Sequence, residues 1–220
     1  MKHLIMKDIR LLRIINLIIF WISLIFGCVG VSTENIYKSK LIYGFSIFIM
    51  IYIVSIFSTQ HELKAKSDMM LNSFPVNRYD IVRAKYISMG IYIFAISGIV
   101  FISSNLFKIM MNGEIIGSPA TIFDVLFIIG FSLMFFSIYL PFQYYSIGKA
   151  QAFSQIFYIF LIILPNIIGR FGSKIETTNI FKNIIVMDFG MFIFMFAVVG
   201  IILYLISLEV SKKIYSMKEF

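Results

Sequence analysis

The chain is poor in the groups that soluble catalytic domains rely on. Only 14% of its 220 residues are charged, and it has two histidines, His3 and His61, one cysteine, Cys28, and four prolines. A lone cysteine forms no intrachain disulfide, and within an apolar run it reads as a small hydrophobe. The histidines stand far apart at polar edges, without metal-ligand spacing, and no His-x-x-x-His pair is present to build a membrane metalloprotease. A phosphate-cradling loop is lacking too. Gly148-Lys149 is followed by Ala150 and preceded five residues back by Gln143, so the Gly-x-x-x-x-Gly-Lys-Ser/Thr pattern fails. The expectation is a chain that holds no metal or cofactor, binds no ATP by itself and is not an enzyme.

Apolar residues are what it has in abundance. They make up 60% of the chain, with Phe alone supplying 25 residues, against roughly 45–50% apolar in a soluble domain. They fall in long runs near bilayer length, which defines an all-α polytopic membrane protein with a single transmembrane domain over residues 1–220. Six spans are expected, at about residues 14–32, 41–58, 86–107, 122–145, 153–168 and 190–208. At ~20 residues per span these leave about 100 for every loop and tail, too few for a fused soluble enzyme. The fifth span is short, with Pro165-Asn166 at its far end, where the helix either breaks or has simply started earlier.

The net charge is +8. Thirteen of the 19 Lys and Arg fall on one side of this layout: Lys2, Lys7, Arg10 and Arg13; Lys64, Lys66, Arg78, Arg83 and Lys85; Lys149; and Lys212, Lys213 and Lys218. Six fall on the other: Lys38, Lys40, Lys108, Arg170, Lys174 and Lys182. Basic residues mark cytoplasmic loops, so both termini and the long second connection are expected in the cytoplasm of a plasma-membrane protein. No cleavable signal peptide is expected, because charges are spread through the first apolar residues and no small-residue cleavage site follows.

At the N-terminus Leu4, Ile5, Ile9, Leu12 and Ile15 share one side at helical spacing, and His3, Lys7, Arg10 and Arg13 share another. The pattern fits an interfacial amphipathic helix, with Lys7, Arg10 and Arg13 toward anionic headgroups. The alternative is a ragged start to the first span.

The second connection, residues 59–85, is the longest piece on the basic side. From His61 to Asn72 it has good helix formers and no Gly or Pro. Charges at Glu62, Lys64, Lys66 and Asp68 lead into Met69-Met70-Leu71. Ser73-Phe74-Pro75 ends this helix, since proline forces the preceding residue out of the α region, and Asn77 is placed to cap the next one. A Met- and Leu-tipped helix fits a partner groove, and it equally fits a helix lying on the membrane.

The run Glu62…Leu71-Asn-Ser-Phe-Pro-Val-Asn-Arg78…Ile81-Val82…Lys85-Tyr86 resembles the motif of ABC-2-type transporter permeases, in which an acidic residue precedes Leu-x-Ser-Leu-Pro-Val-x-Arg, then Ile-Val and Lys-Tyr. The opening Leu4-Ile5-Met6-Lys7-Asp8-Ile9-Arg10 resembles the start of that group. Phe74 stands where Leu is usual, and Gln60-His61 precede the acid in place of an aromatic. The resemblance implies a type V exporter-like permease of six membrane helices paired with a second permease subunit, identical or paralogous. ATP and Mg would sit on separate ATPase subunits, docked from the cytoplasm on a coupling helix. Glu62, Lys64, Lys66, Asp68, Met69, Met70, Leu71, Pro75 and Arg78 are the docking residues that this implies. Small members of this kind include permeases of exporters for phenol-soluble modulins and related antimicrobial peptides, so an amphipathic peptide is the expected cargo, with membrane lipid as the other partner and no nucleic acid.

Phe135, Tyr139, Gln143 and Tyr144, with nearby Phe131, Phe136 and Phe157, offer a soft lining for such a cargo, although aromatics in spans also face lipid or neighbouring helices. Pro141 and Pro165 are candidate kinks. Two other readings share the spans: a membrane scaffold without a nucleotide-dependent partner, and an intramembrane enzyme, for which the required polar groups are not found.

Overall fold

The computed structural model describes residues 2–33, 36–64, 77–111, 117–146, 148–153, 155–157, 159, 163 and 189–217. Six helices are delimited among them: α1 Lys2–Leu11, α2 Arg13–Val31, α3 Ile36–Lys64, α4 Arg78–Met110, α5 Ile122–Tyr145 and α6 Phe189–Ser216. Residues 148–153 and 155–157 are helical as well. Five helices among the described residues, α2 to α6, are long and apolar enough to cross a membrane. The 24 residues of α5 extend ~36 Å at 1.5 Å per residue, enough for a hydrocarbon core of about 30 Å. The sixth expected span, near 153–168, lies mostly outside the described residues.

Local chemistry explains several helix ends. α1 is a helix of its own, because Leu12 leaves helical geometry (φ −98°, ψ 19°) and buries its side chain. Asn16 of α2 then reaches back, its Nδ2 donating to the Ile9 carbonyl at 3.0 Å. α4 begins at the expected cap, where Asn77 Oδ1 accepts from the Tyr79 amide at 3.0 Å. Asp80 in its first turn and Lys108 in its last both suit the helix dipole. α5 opens on a capping box: the Thr121 hydroxyl accepts from the Asp124 amide while the Asp124 carboxylate accepts from the Thr121 amide.

α4 is the hub of the bundle and touches all five other helices. The most extensive contact is between α5 and α6. A methyl group added at Gly200 would lie 2.8 Å from the Gly130 carbonyl oxygen, and one added at Gly130 would lie 3.0 Å from Ala197 Cα. Small residues thus let these two backbones touch, which is how membrane helices gain close packing without a hydrophobic drive. α2 meets α4 in the same way, with Gly27 against Ser103 and Ser104. The core between the helices holds Tyr43, Ile47, Ile51, Val54, Val82, Tyr86, Met89, Ile93, Phe136 and Leu140.

The outer surface is apolar. Ile14, Leu17, Trp21 and Ile25 of α2 and Met191, Phe192, Phe194, Leu205 and Ile206 of α6 are all exposed. A water-soluble monomer rarely shows so continuous an apolar surface. Hydrocarbon is the solvent that suits it, and with the helix lengths this makes an all-α polytopic membrane fold.

Candidate functional site at the base of α3 and α4

α3 runs out to Lys64 and α4 starts at Arg78, so these two helices carry the expected docking segment between them. The end of the bundle where they meet it is called the base here. Lys66, Asp68, Met69, Met70, Leu71 and Pro75 lie outside the described residues. Glu62 and Lys64 belong to the helical backbone of α3, and only Arg78 of the expected docking set has a described side chain.

The first turns of α4 are fastened to three other helices. Arg78 Nη1 donates to the Ser216 carbonyl at the end of α6, at 3.3 Å. Two turns on, the buried Lys85 ammonium donates to the Ser58 hydroxyl of α3 at 2.6 Å. Ser88, one turn further, donates to the Lys85 carbonyl at 2.9 Å and lies 3.4 Å from Asp8 Oδ2 of α1. Asp8 is itself buried and pairs with Lys7 at 3.3 Å. Between these, Tyr86 turns to α6, with its hydroxyl 2.7 Å from both Ser207 and Ser211. Tyr204 of α6 returns a bond from its hydroxyl to the Tyr86 carbonyl at 2.8 Å.

Burial explains why these groups are paired. An ammonium or carboxylate within apolar surroundings is costly unless hydrogen-bonded, and a bond to a charged group contributes more than a neutral one. Lys85, Ser88 and Asp8 therefore fix the mutual positions of α1, α3 and α4, and the Tyr86 hydroxyl fixes α4 to α6. The contacts at this base join helices to one another, and among the described residues no group of three or more His, Cys, Asp or Glu is placed to hold a metal ion.

A model of the ABC-2 family transporter proteins matches residues 3–216. The chain belongs to that family. The matched range takes in every delimited helix but the first residue of α1, and it makes the protein a transport permease and not an enzyme. No curated protein and no solved structure matches this permease.

The other expected residues of the permease fall into two places. On α1, Arg10 and, beyond the Leu12 break, Arg13 are exposed, while Lys7 is half-buried beside Asp8. Within the bundle, Phe135, Tyr139 and Gln143 of α5 are buried. The Phe135 ring lies 4.3 Å from Phe157, 5.2 Å from Phe48 and 5.8 Å from Tyr139. Tyr144 meets Tyr215 of α6 edge to face at 5.3 Å. Gln143 Oε1 is buried with no hydrogen-bond partner among the described residues. Phe48, Phe135, Tyr139, Phe153 and Phe157 form one interlocked cluster that joins α3 and α5 to the helical residues that follow, and Tyr144 stands apart from it against α6.

Sequence reading passed over Asp8, Ser58, Ser88, Ser207 and Ser211 as site residues. The sequence shows Lys85 as a basic residue of the second connection and, with Tyr86, as part of a motif, but not as an interhelical contact. Their signal was present: an ionisable residue beside an apolar run, and serines four apart on one helix face, mark helix interfaces in membranes.

Proposed function

We propose that this permease is the membrane-spanning subunit of an ABC exporter, driven by separate ATPase subunits that hold the ATP and Mg. In this reading both termini and residues 59–85 are cytoplasmic, and the segment between α3 and α4 is the ATPase-docking element. Met69, Met70 and Leu71 form the buried ridge. Glu62, Lys64, Lys66 and Asp68 orient it, Pro75 sets the bend and Arg78 ties the segment to the end of α6. Lys7, Arg10 and Arg13 hold α1 to anionic headgroups. A second permease subunit, identical or paralogous, completes the path. The cargo is an amphipathic peptide of the phenol-soluble modulin or antimicrobial type, and Phe135, Tyr139, Gln143 and Tyr144, packed within the bundle in this arrangement, line its path when the helices part.

The observation that carries the docking reading is the set of bonds made by the first turns of α4. Arg78, Lys85, Tyr86 and Ser88 reach α6, α3 and α1, so a push on the segment before Arg78 moves the whole base together. A membrane-lying helix has no need of such bracing. The charge bias and the motif support the orientation and the partner.

Met70→Asp is the test. A buried Met side chain contributes about 1.5–3 kcal/mol, and placing a carboxylate in its groove removes that and adds desolvation, so docking weakens by roughly 100-fold or more. Co-purification with the ATPase and ATP hydrolysis by the complex are expected to fall while the permease keeps its yield and melting temperature. Unchanged co-purification and hydrolysis would overturn the docking assignment. Export of fluorescently tagged amphipathic peptides from proteoliposomes tests the cargo, and indifference to such peptides would remove that part alone.

A further inference from the structure

Pro141 lies inside α5, and the helix continues through it to Tyr145. Proline has no N–H, so the carbonyl four residues earlier, that of Ser137, loses the donor an unbroken helix would give it. That carbonyl is taken by another helix: Ser207 Oγ of α6 donates to the Ser137 carbonyl oxygen at 2.6 Å. This is unusual in the bundle. Ser23, Ser46, Ser97, Ser103 and Ser104 all turn their hydroxyls back onto carbonyls of their own helix.

Proton counting gives the rest of the chain a direction. A serine hydroxyl has one proton, and that of Ser207 is spent on Ser137. Its 2.7 Å contact with Tyr86 is therefore donated by Tyr86, and Ser211 in turn donates to Tyr86 at 2.7 Å. Ser211, Tyr86, Ser207 and the Ser137 carbonyl form one directed line from the base of α4 to the proline of α5. All three hydroxyl residues are buried, so water does not compete for these bonds.

We propose that Ser207 is the pin of a hinge at Pro141: bonded to the Ser137 carbonyl it holds α5 in one course, and Tyr86 keeps it there, so displacement of the α4 base releases α5 to bend. This goes beyond the docking reading, and its test needs no partner.

The single native cysteine makes the measurement direct. In a Cys28→Ser background, spin labels at Phe127→Cys and Tyr145→Cys lie on α5 on either side of Pro141, both at exposed positions. They are ~27 Å apart along the helix, within reach of pulsed electron paramagnetic resonance on the full chain in lipid nanodiscs. Ser207→Ala is expected to broaden the distance distribution toward shorter values. Ser207→Ala with Pro141→Ala is expected to restore the narrow distribution, because residue 141 then supplies its own amide to Ser137. Tyr86→Phe, which frees Ser207 to turn back onto α6, gives a smaller broadening of the same kind. If Ser207→Ala alone yields no folded protein, recovery of folded yield in the double variant supports the hinge and lack of recovery overturns it. An unchanged distribution in Ser207→Ala, or a broadening that Pro141→Ala fails to reverse, overturns it. A Tyr86→Phe distribution identical to the parent's overturns the link to α4. None of these results touches ATPase docking, which Met70→Asp tests separately.

Discussion

Lys85 of α4 and Ser58 of α3 face each other across 2.6 Å with both residues buried. The pairing places a charge at the foot of the bundle, and one turn on Ser88 meets the Lys85 carbonyl and Asp8 of α1. Three helices thus meet through Lys85 and Ser88, next to the segment proposed to receive the ATPase.

Removing either partner of this pair should be costly. Ser58→Ala loses a bond to a charged group, about 1.5 kcal/mol, and Lys85→Ala roughly 2–3 kcal/mol because buried neighbours lose a donor as well. The two losses are expected to be less than additive in the double variant. Thermal unfolding of the purified permease in detergent, followed by intrinsic fluorescence, measures all three. Strict additivity would show that Ser58 and Lys85 do not act on each other.

Glycines of the bundle should split by what surrounds them. At Gly200 an added methyl meets the Gly130 carbonyl at 2.8 Å, a backbone atom, whereas at Gly98 it meets nothing within 4 Å. Gly200→Ala should destabilise by about 1–3 kcal/mol through overpacking. Gly98→Ala should be neutral or stabilise by up to about 1 kcal/mol, since Ala is the better helix former. Melting temperatures of the two variants should move in opposite directions, or the first alone should fall.

The cap of α5 should outweigh its ion pair. Asp124 lies 3.4 Å from Lys40, whose side chain is half-exposed, and exposed pairs contribute little, about 0–1 kcal/mol. The Thr121 hydroxyl, which accepts from the Asp124 amide, should cost about 1 kcal/mol when removed in Thr121→Ala. Lys40→Ala should therefore melt closer to the parent than Thr121→Ala does.

These contrasts show what was readable beforehand. The fold class was readable because uninterrupted apolar runs in a chain with 14% charge leave lipid as the only fitting solvent. Helix ends were less readable. α4 continues from Arg78 to Met110 past its apolar window at both ends, since hydropathy marks where lipid begins and not where hydrogen bonding stops. The Asn77 cap was visible because a side-chain acceptor before a helix is a local device. Lys85 was visible as a charge on the basic side and, with Tyr86, as a motif letter. Their partners lie 27 and more than 100 residues away in sequence, and spaced serines mark a helix interface without naming the residue on its other side. Asp124 is held by its capping box and by Lys40, and of these only the cap is a local device.

Orientation can be checked with the same cysteine-free background. Met111 and Met217 are exposed at the ends of α4 and α6. With the termini cytoplasmic, Met111→Cys should react with a membrane-impermeant maleimide added to intact cells, and Met217→Cys only after permeabilisation. The reverse pattern would place the ATPase-docking segment outside the cell and overturn the proposed drive.

The backbone contact of Gly130 with Gly200 and Ala197 has a kinematic consequence. With backbone against backbone and the Phe196 ring packed beside Gly130, α5 and α6 share a fulcrum at that level and behave there as one lever. Rotation of the far end of α6, which Arg78 holds, then passes to α5, and at Pro141, below the fulcrum, the Ser207–Ser137 bond is what keeps the two arms from parting. A transporter wired this way has fewer independent moving bodies than it has helices.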